Sequence, residues 1–147
     1  TTSTDAQKVK SIFTGKTLQD AQATCRRLPV GDKVVDAIVK LVRNARPELT
    51  DDAELKASLA WGAGPRAGQT LMACAKVRAT LHGRTTPSVD DVAALAPAVL
   101  RHRLIPNFAA QSEGVDVEEI MDRLLETIPE DEELYDGREE TIPSATS

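Results

Sequence analysis

PRAGQTLMACAKVRATLHG, residues 65–83, is the stretch that decides the fold. Pro65 suits the first turn of a helix, where no backbone amide donor is needed, and Gly83 is typical of the residue at which a helix ends. Residues 71–75 are apolar on nearly every side, and a helix that is apolar almost all round is a buried one. The stretch therefore predicts the central helix of a helical bundle.

The flanking sequence predicts shorter helices around this one. Residues suited to capping a helix N-terminus precede apolar residues at helical spacing in four places. These residues are Thr17, Asp32, Ser88 and Asp116. We expect helices over 17–27, 32–46, 65–82, 88–96 and 116–128, a helical turn within 55–61, and a further short helix opened by Pro97. Residues 48–54 and 106–114 are predicted to be loop.

The composition supports an all-α fold. Aromatic residues make up 3% of the 147 residues, whereas sheets favour aromatic and β-branched side chains. We therefore predict a small helical bundle of five to six short helices. No apolar run is long enough to cross a membrane, and no signal peptide is present, so we expect a cytoplasmic protein. The sequence begins at Thr1 rather than at Met, and we expect it to be part of a longer polypeptide.

The charge is divided along the chain. Residues 1–110 contain 16 Lys and Arg against 10 Asp and Glu, whereas residues 111–147 contain 2 against 13. We predict a polar tail or linker over 1–16, a folded domain over 17–128, and an acidic disordered tail over 129–147. The basic residues of the body are scattered, and a solvated surface explains them better than a nucleic-acid interface does.

Two sets of residues resemble parts of functional sites, and we reject both. Gly15-Lys16-Thr17 has the ending of a phosphate-binding loop, but that loop needs a Gly five residues earlier, where Lys10 stands. His82 and His102 have no Ser, Cys or second His near them in sequence, so they predict neither a catalytic dyad nor a metal site.

The two cysteines, Cys25 and Cys74, lack the spacing of metal ligands. We expect them to be buried free thiols.

Gly64-Pro65-Arg66 is the candidate binding site. A helix that begins at Pro65 places Arg66 in its first turn, where the free amides and the helix dipole attract anions. A guanidinium there adds a planar donor that matches phosphate. On residue chemistry alone, an equally good interpretation is a surface arginine paired with Asp51 or Asp52.

An ordered set of segments resembles the lid domain of MoxR-family AAA+ ATPases. The segments are WGAGPRA (61–67), LHGR (81–84), PSVDDV (87–92) and APAVLRHR (96–103). The resemblance covers about residues 18–127 and assigns the folded domain over 17–128 to a carboxy-terminal AAA+ lid. One departure is Gly64, where the family often has Ser. The acidic tail is another.

The resemblance implies that the chain closes over ATP and Mg²⁺ held by a core domain of the same polypeptide, with Arg66 as the catalytic sensor 2 arginine shaped by Gly64 and Pro65. It implies ATP hydrolysis by the whole protein, inactivity of this chain alone, and a ring, commonly a hexamer. It further implies chaperone work on partner complexes beside a von Willebrand factor type A domain protein. Arg101 and Arg103 are weaker candidates for phosphate or subunit contacts, and salt bridges to Asp90 or Asp91 are the better interpretation.

Two other functions compete with the lid. A stand-alone helical adaptor would bind a partner through the acidic tail, and that binding would survive Arg66→Ala but fail on removal of residues after Glu130. A helical DNA-binding domain is disfavoured, because DNA affinity depends on clustered phosphate contacts.

Overall fold

The computed structural model describes residues 10–128, in which helices dominate. The elements follow the chain in the order α1 (Gly15–Arg27), α2 (Asp32–Asn44), α3 (Ala53–Ser58), β1 (Leu59–Trp61), α4 (Pro65–Leu81), α5 (Val89–Leu100), a 3₁₀ turn (Arg101–Arg103), β2 (Ile105–Pro106), α6 (Phe108–Glu113) and α7 (Val117–Glu126). The all-α bundle is thus confirmed. The predicted tail over 129–147, and most of the one over 1–16, lie outside the described residues.

The central helix is α4, as residues 65–83 predict, but it is not buried on nearly every side, because Ala73 is exposed and Met72 and Cys74 are half-buried. It packs against α2, α5 and α1. Its residues Ala67, Leu71, Ala75 and Ala79 are fully buried, and three of these four are alanines, which lets neighbouring helices approach closely. Gly83, with φ of +70°, follows the helix end. The core is built from aliphatic side chains on α2, α4, α5 and α7.

The helix starts agree with prediction at two of the four capping residues. The Ser88 hydroxyl accepts from the Asp91 amide in a full capping box, and the Asp116 carboxylate accepts from the Glu119 amide at 2.9 Å. The other two capping residues were predicted wrongly. Thr14, not Thr17, caps α1 through the Thr17 amide. Asp32 is the first residue of α2 rather than its cap, which is Gly31, and α2 ends at Asn44.

Pro97 does not open a separate helix, because α5 runs through it from Val89 to Leu100. A proline inside a helix costs about 3 kcal/mol or more. Val92, Ala96 and Leu100 of the same helix are fully buried in the core, and their burial offsets that cost.

The loop predicted over 106–114 is wrong, because it contains α6. The Asn107 side chain caps this helix by accepting from the Ala110 amide at 2.9 Å, and Gly114, with φ of +83°, ends it. Both residues are ordinary helix boundary signals.

A short antiparallel ribbon was not predicted. Leu59 of β1 lies opposite Pro106 of β2, and Trp61 lies opposite Ile105. Asn107 fixes the ribbon further, since its side chain donates to the Ala57 carbonyl and its amide to the Ser58 carbonyl. The ribbon leads directly into the turn before α4, which carries the candidate site.

Candidate functional site

The turn before α4 is held in place by a glycine that the structure requires. A Cβ added at Gly62 would collide with the backbone carbonyl of Ala45, which follows α2. The next residue, Ala63, is fully buried. The entry to α4 is therefore wedged against the end of α2, and the first turn of α4 starts from a fixed position.

Gly64 and Pro65 leave the start of α4 open. Gly64 is the N-cap residue and offers no side-chain oxygen to the amides of the first turn. A Cβ at Gly64 would meet no atom within 4 Å, so the position does not demand glycine. Pro65 has no amide hydrogen, and the Ala67 amide donates to the Gly64 carbonyl at 2.9 Å. The Arg66 amide remains available, at the positive end of the helix dipole.

Arg66 is exposed in the first turn of α4. Within residues 10–128 its guanidinium makes no hydrogen bond or ion pair. The predicted alternative, a pairing with Asp51 or Asp52, is wrong, because Arg66 pairs with neither and Asp52 accepts from Arg123 at 3.0 Å and caps α3. The structure thus joins Gly64, Pro65 and Arg66 in one open turn with an unused guanidinium.

The other end of α4 is fastened to α5 by a buried carboxylate. Asp91, whose side chain is 1% exposed, accepts from both terminal nitrogens of Arg84 at 2.6 and 2.7 Å and from Arg78 at 3.1 Å. The Ser88 amide donates to it as well. Bidentate pairs of this kind are strong and directional.

The surroundings of Asp91 shift its ionisation. The hydrogen bonds from Arg84, aided by those of Ser88, outweigh the effect of burial and lower the pKa of Asp91 from 3.8 to about 2. On sequence alone, Asp91 was expected only as a salt-bridge partner of Arg101 or Arg103. Its place three residues after Ser88 is the capping-box signal that could have revealed its role.

Arg101 and Arg103 do not pair with Asp90 or Asp91. Arg101 forms an exposed ion pair with Glu118 at 2.7 Å, and Arg103 donates to the Val99 carbonyl at 3.0 Å. Asp91 is already occupied by the two arginines near the end of α4. Arg101 and Arg103 therefore fasten the 3₁₀ turn to α7 and α5.

The cysteines are free, as predicted, but half-buried rather than buried. Cys25 lies 3.5 Å from the Thr80 hydroxyl. Among residues 10–128 no group of three His, Cys, Asp or Glu side chains is placed to hold a metal ion. In that same part of the chain no helix is both long and apolar enough to cross a membrane.

Residues 52–124 match the family model of the AAA lid domain. The chain is also 31% identical over 126 residues to the chaperone MoxR1 of Mycobacterium tuberculosis, across 85% of this chain and 33% of that protein. The chain belongs to the AAA lid family, of the MoxR-like type. A second relative of this AAA lid, the uncharacterized protein YeaC of Bacillus subtilis, is 28% identical over 80% of this chain and 32% of its own length.

A solved structure has the same fold as this AAA lid. It is the crystal structure of a candidate ATPase from Cytophaga hutchinsonii, with a TM-score of 0.65 and 23% identity. It matches 73% of this chain and 33% of that one. The AAA lid described here spans about one third of the length of the curated relatives that it matches.

Proposed function

We propose that this AAA lid closes over ATP held by an AAA+ core domain of the same polypeptide, and that Arg66 is its sensor 2 arginine. The observation that supports this role is the unused guanidinium of Arg66. It is exposed at the open, positive end of the central helix α4, and within residues 10–128 it has no ion-pair partner.

The first turn of α4 suits a phosphate. The Arg66 guanidinium offers several N–H donors in a planar fork, its backbone amide lies beside them, and the helix dipole adds to the positive potential. ATP with Mg²⁺ supplies the phosphoryl group, and we assign the Mg²⁺ ligands to the core domain. Arg66 would contact the γ-phosphate and stabilise charge that develops during transfer. Gly64 and Pro65 would keep the approach to it clear.

The attachment of α4 explains how such a contact could move a domain. Arg66 lies at one end of α4, and the buried Asp91 pairs fasten the other end to α5. Gly62 wedges the start of α4 against the end of α2. Loss of the γ-phosphate contact would therefore release the lid as a unit, and the lid would rotate against the core.

For the whole protein we propose a cytoplasmic ATPase that assembles into a ring, with a hexamer as the expected size. Neighbouring subunits would be its partners, and it would act as a chaperone in the assembly or metal loading of partner complexes. A von Willebrand factor type A domain protein is a proposed further partner, and neither a membrane nor nucleic acid is. These proposals rest on the likeness to MoxR-family proteins, of which one relative is a chaperone by name.

The decisive experiment is Arg66→Ala in the polypeptide that contains this lid and its core domain. Steady-state ATP hydrolysis should fall about 10²- to 10³-fold, the usual cost of one preorganised charge-stabilising donor. Arg43→Ala is the matched control, because Arg43 is an exposed helical arginine on α2 whose side chain makes no ion pair within residues 10–128.

Two results would contradict the proposal. One is an Arg66→Ala protein that hydrolyses ATP at the rate of the Arg43→Ala control while circular dichroism shows both folded. The other is turnover by the 147-residue chain alone that Arg66→Ala abolishes, since the lid without a core domain should not hydrolyse ATP. Partner binding that survives Arg66→Ala but is lost on removal of residues after Glu130 would favour the adaptor instead.

A further inference from the structure

Helices α1 and α4 leave an apolar groove between them. The groove has a volume of about 640 Å³, within the range of roughly 300–1,000 Å³ that is usual for ligand pockets. Most of its lining is apolar, including Leu18, Ala21 and Cys25 on α1 and Met72, Ala73 and Val77 on α4. We call it the α1–α4 groove.

The apolar side chains of the α1–α4 groove have no cover within residues 10–128. Helix α1 contains no buried residue. Leu18 is 54% exposed and Leu81, at the far end of the groove, is 80% exposed. Contiguous apolar surface of this kind usually marks a place where another segment binds. A groove between two helices suits a peptide whose apolar side chains enter it.

The charge around the α1–α4 groove is one-sided. Helix α4 contains no acidic residue, and Asp20 is the single one in α1. Arg26 and Lys76 line the groove, and the Lys76 ammonium donates to the Arg26 carbonyl at 3.1 Å. Lys16 and Arg27 belong to α1 as well. An occupant that complements this surface would have apolar side chains flanked by acidic ones.

The part of the chain that follows Ile128 has that pattern. Residues 130–142 read EDEELYDGREETI, with seven acidic residues and one basic residue around Leu134, Tyr135 and Ile142. The segment lies outside the described residues. Leu134 and Tyr135 lie six and seven positions beyond Ile128, and an extended chain of that length spans up to about 20–25 Å. The radius of a domain of this size is roughly 17 Å, so these two side chains can reach faces of the domain beside the end of α7.

We propose that the α1–α4 groove binds the chain's own segment 130–142. Leu134 and Tyr135 enter the groove, and the surrounding carboxylates face Lys16, Arg26, Arg27 and Lys76. Connection through the same chain favours this occupant over a separate partner of similar chemistry, since a short tether gives an effective concentration in the millimolar range.

The test places the only tryptophan of the full 147-residue chain in this segment, as Trp61→Phe with Tyr135→Trp. Docking predicts blue-shifted emission and protection from acrylamide quenching. Both effects should be lost on adding Val77→Asp, which puts a carboxylate in the groove. They should persist on adding Val39→Asp, the same change at a similarly exposed valine on α2. Lys76→Glu should weaken the protection, whereas Lys56→Glu on α3 should not.

Three outcomes would overturn the proposal. Emission and quenching at position 135 that do not respond to Val77→Asp would show that the segment is not in the groove. Protection that grows with protein concentration would place the segment on a second copy instead. Equal loss from Val77→Asp and Val39→Asp, with circular dichroism unchanged, would rule out a specific contact at the groove.

Discussion

At the scale of single residues, the attachment of α4 to α5 depends on Asp91. Its buried carboxylate faces Arg84 and Arg78, whereas the neighbouring Asp90 is exposed. Asp91→Asn keeps the volume but leaves two guanidinium groups without their counter-charge. We expect the free energy of unfolding to fall by about 3 kcal/mol, the low end for a broken buried pair, because both arginines keep access to water.

Urea denaturation measures this change. Asp90→Asn is the matched control, and as an exposed substitution it should alter the free energy of unfolding by less than about 0.5 kcal/mol. Equal destabilisation by the two variants would show that the ion pairs of Asp91 contribute no more to the free energy of unfolding than the exposed Asp90 does.

Asp91 also predicts how stability depends on pH. Its pKa is about 2 in the folded protein against an ordinary 3.8, chiefly through its hydrogen bonds with Arg84. The contribution of its charge is therefore complete above about pH 5, declines as pH falls below the unfolded value, and is lost as pH falls through the folded value of about 2. It amounts to roughly 2 kcal/mol. The difference in unfolding free energy between the wild type and Asp91→Asn should shrink as pH falls from 7 to 2, and a constant difference would contradict it.

The sequence predicted the candidate site only where local signals decide it. Pro65 predicted the start of a helix and therefore placed Arg66 in its first turn. In the structure α4 begins at Pro65, and Arg66 lies in that first turn. The partners of Arg84, Arg101 and Arg103 were not predictable in this way. Opposite charges that are near in sequence fit many pairings, and the packing of α4 against α5 selects among them. The role of Arg66 toward ATP remains a prediction.

At the scale of elements, the two glycines before α4 should respond in opposite ways. Gly62→Ala drives a Cβ into the Ala45 carbonyl, so the turn or the end of α2 must shift, at about 1–3 kcal/mol. Gly64→Ser meets open space and adds a capping hydroxyl, so it should stabilise the domain by a few tenths of a kcal/mol.

Thermal unfolding of the two glycine variants tests the wedge between α2 and α4. If the Gly62→Ala protein were as stable as the Gly64→Ser protein, Gly62 would lie farther from the Ala45 carbonyl than the structure indicates.

Helices with strong periodicity were predictable, and the shortest elements were not. The patterns of α2, α4 and α7 are amphipathic or buried over ten residues or more, so their packing agrees with their spacing. Strands of three and two residues have no detectable period. Their pairing is supported by two hydrogen bonds from Asn107 to a distant segment, one from its side chain to the Ala57 carbonyl and one from its backbone amide to the Ser58 carbonyl. The prediction of a separate helix opened by Pro97 was wrong because local propensity disfavours proline inside a helix, whereas the packing of α5 in the core tolerates it.

At the scale of the whole molecule, the bundle has a firm centre and an open side. Helices α2, α4 and α5 share the core, whereas α1 contacts α4 without burying a residue. Arg66 lies on α4, which is held in this packed centre, so its position is fixed as the proposed lid function requires. The open side carries the α1–α4 groove. Composition and periodicity predicted the packed centre of the bundle. They could not predict the α1–α4 groove, because α1 has apolar residues at helical spacing whether or not other residues cover them.

The β1–β2 ribbon has a consequence for the order of folding. Leu59 and Pro106 pair although 46 residues lie between them in the chain, so closing that loop costs entropy before the contact stabilises the fold. Helices α4 and α5 meet through a short connection, and nearby contacts form early. We expect the ribbon to form after the folding transition state. Ile105→Ala should therefore speed unfolding and leave the refolding rate nearly unchanged in stopped-flow chevrons, whereas Leu71→Ala should slow refolding.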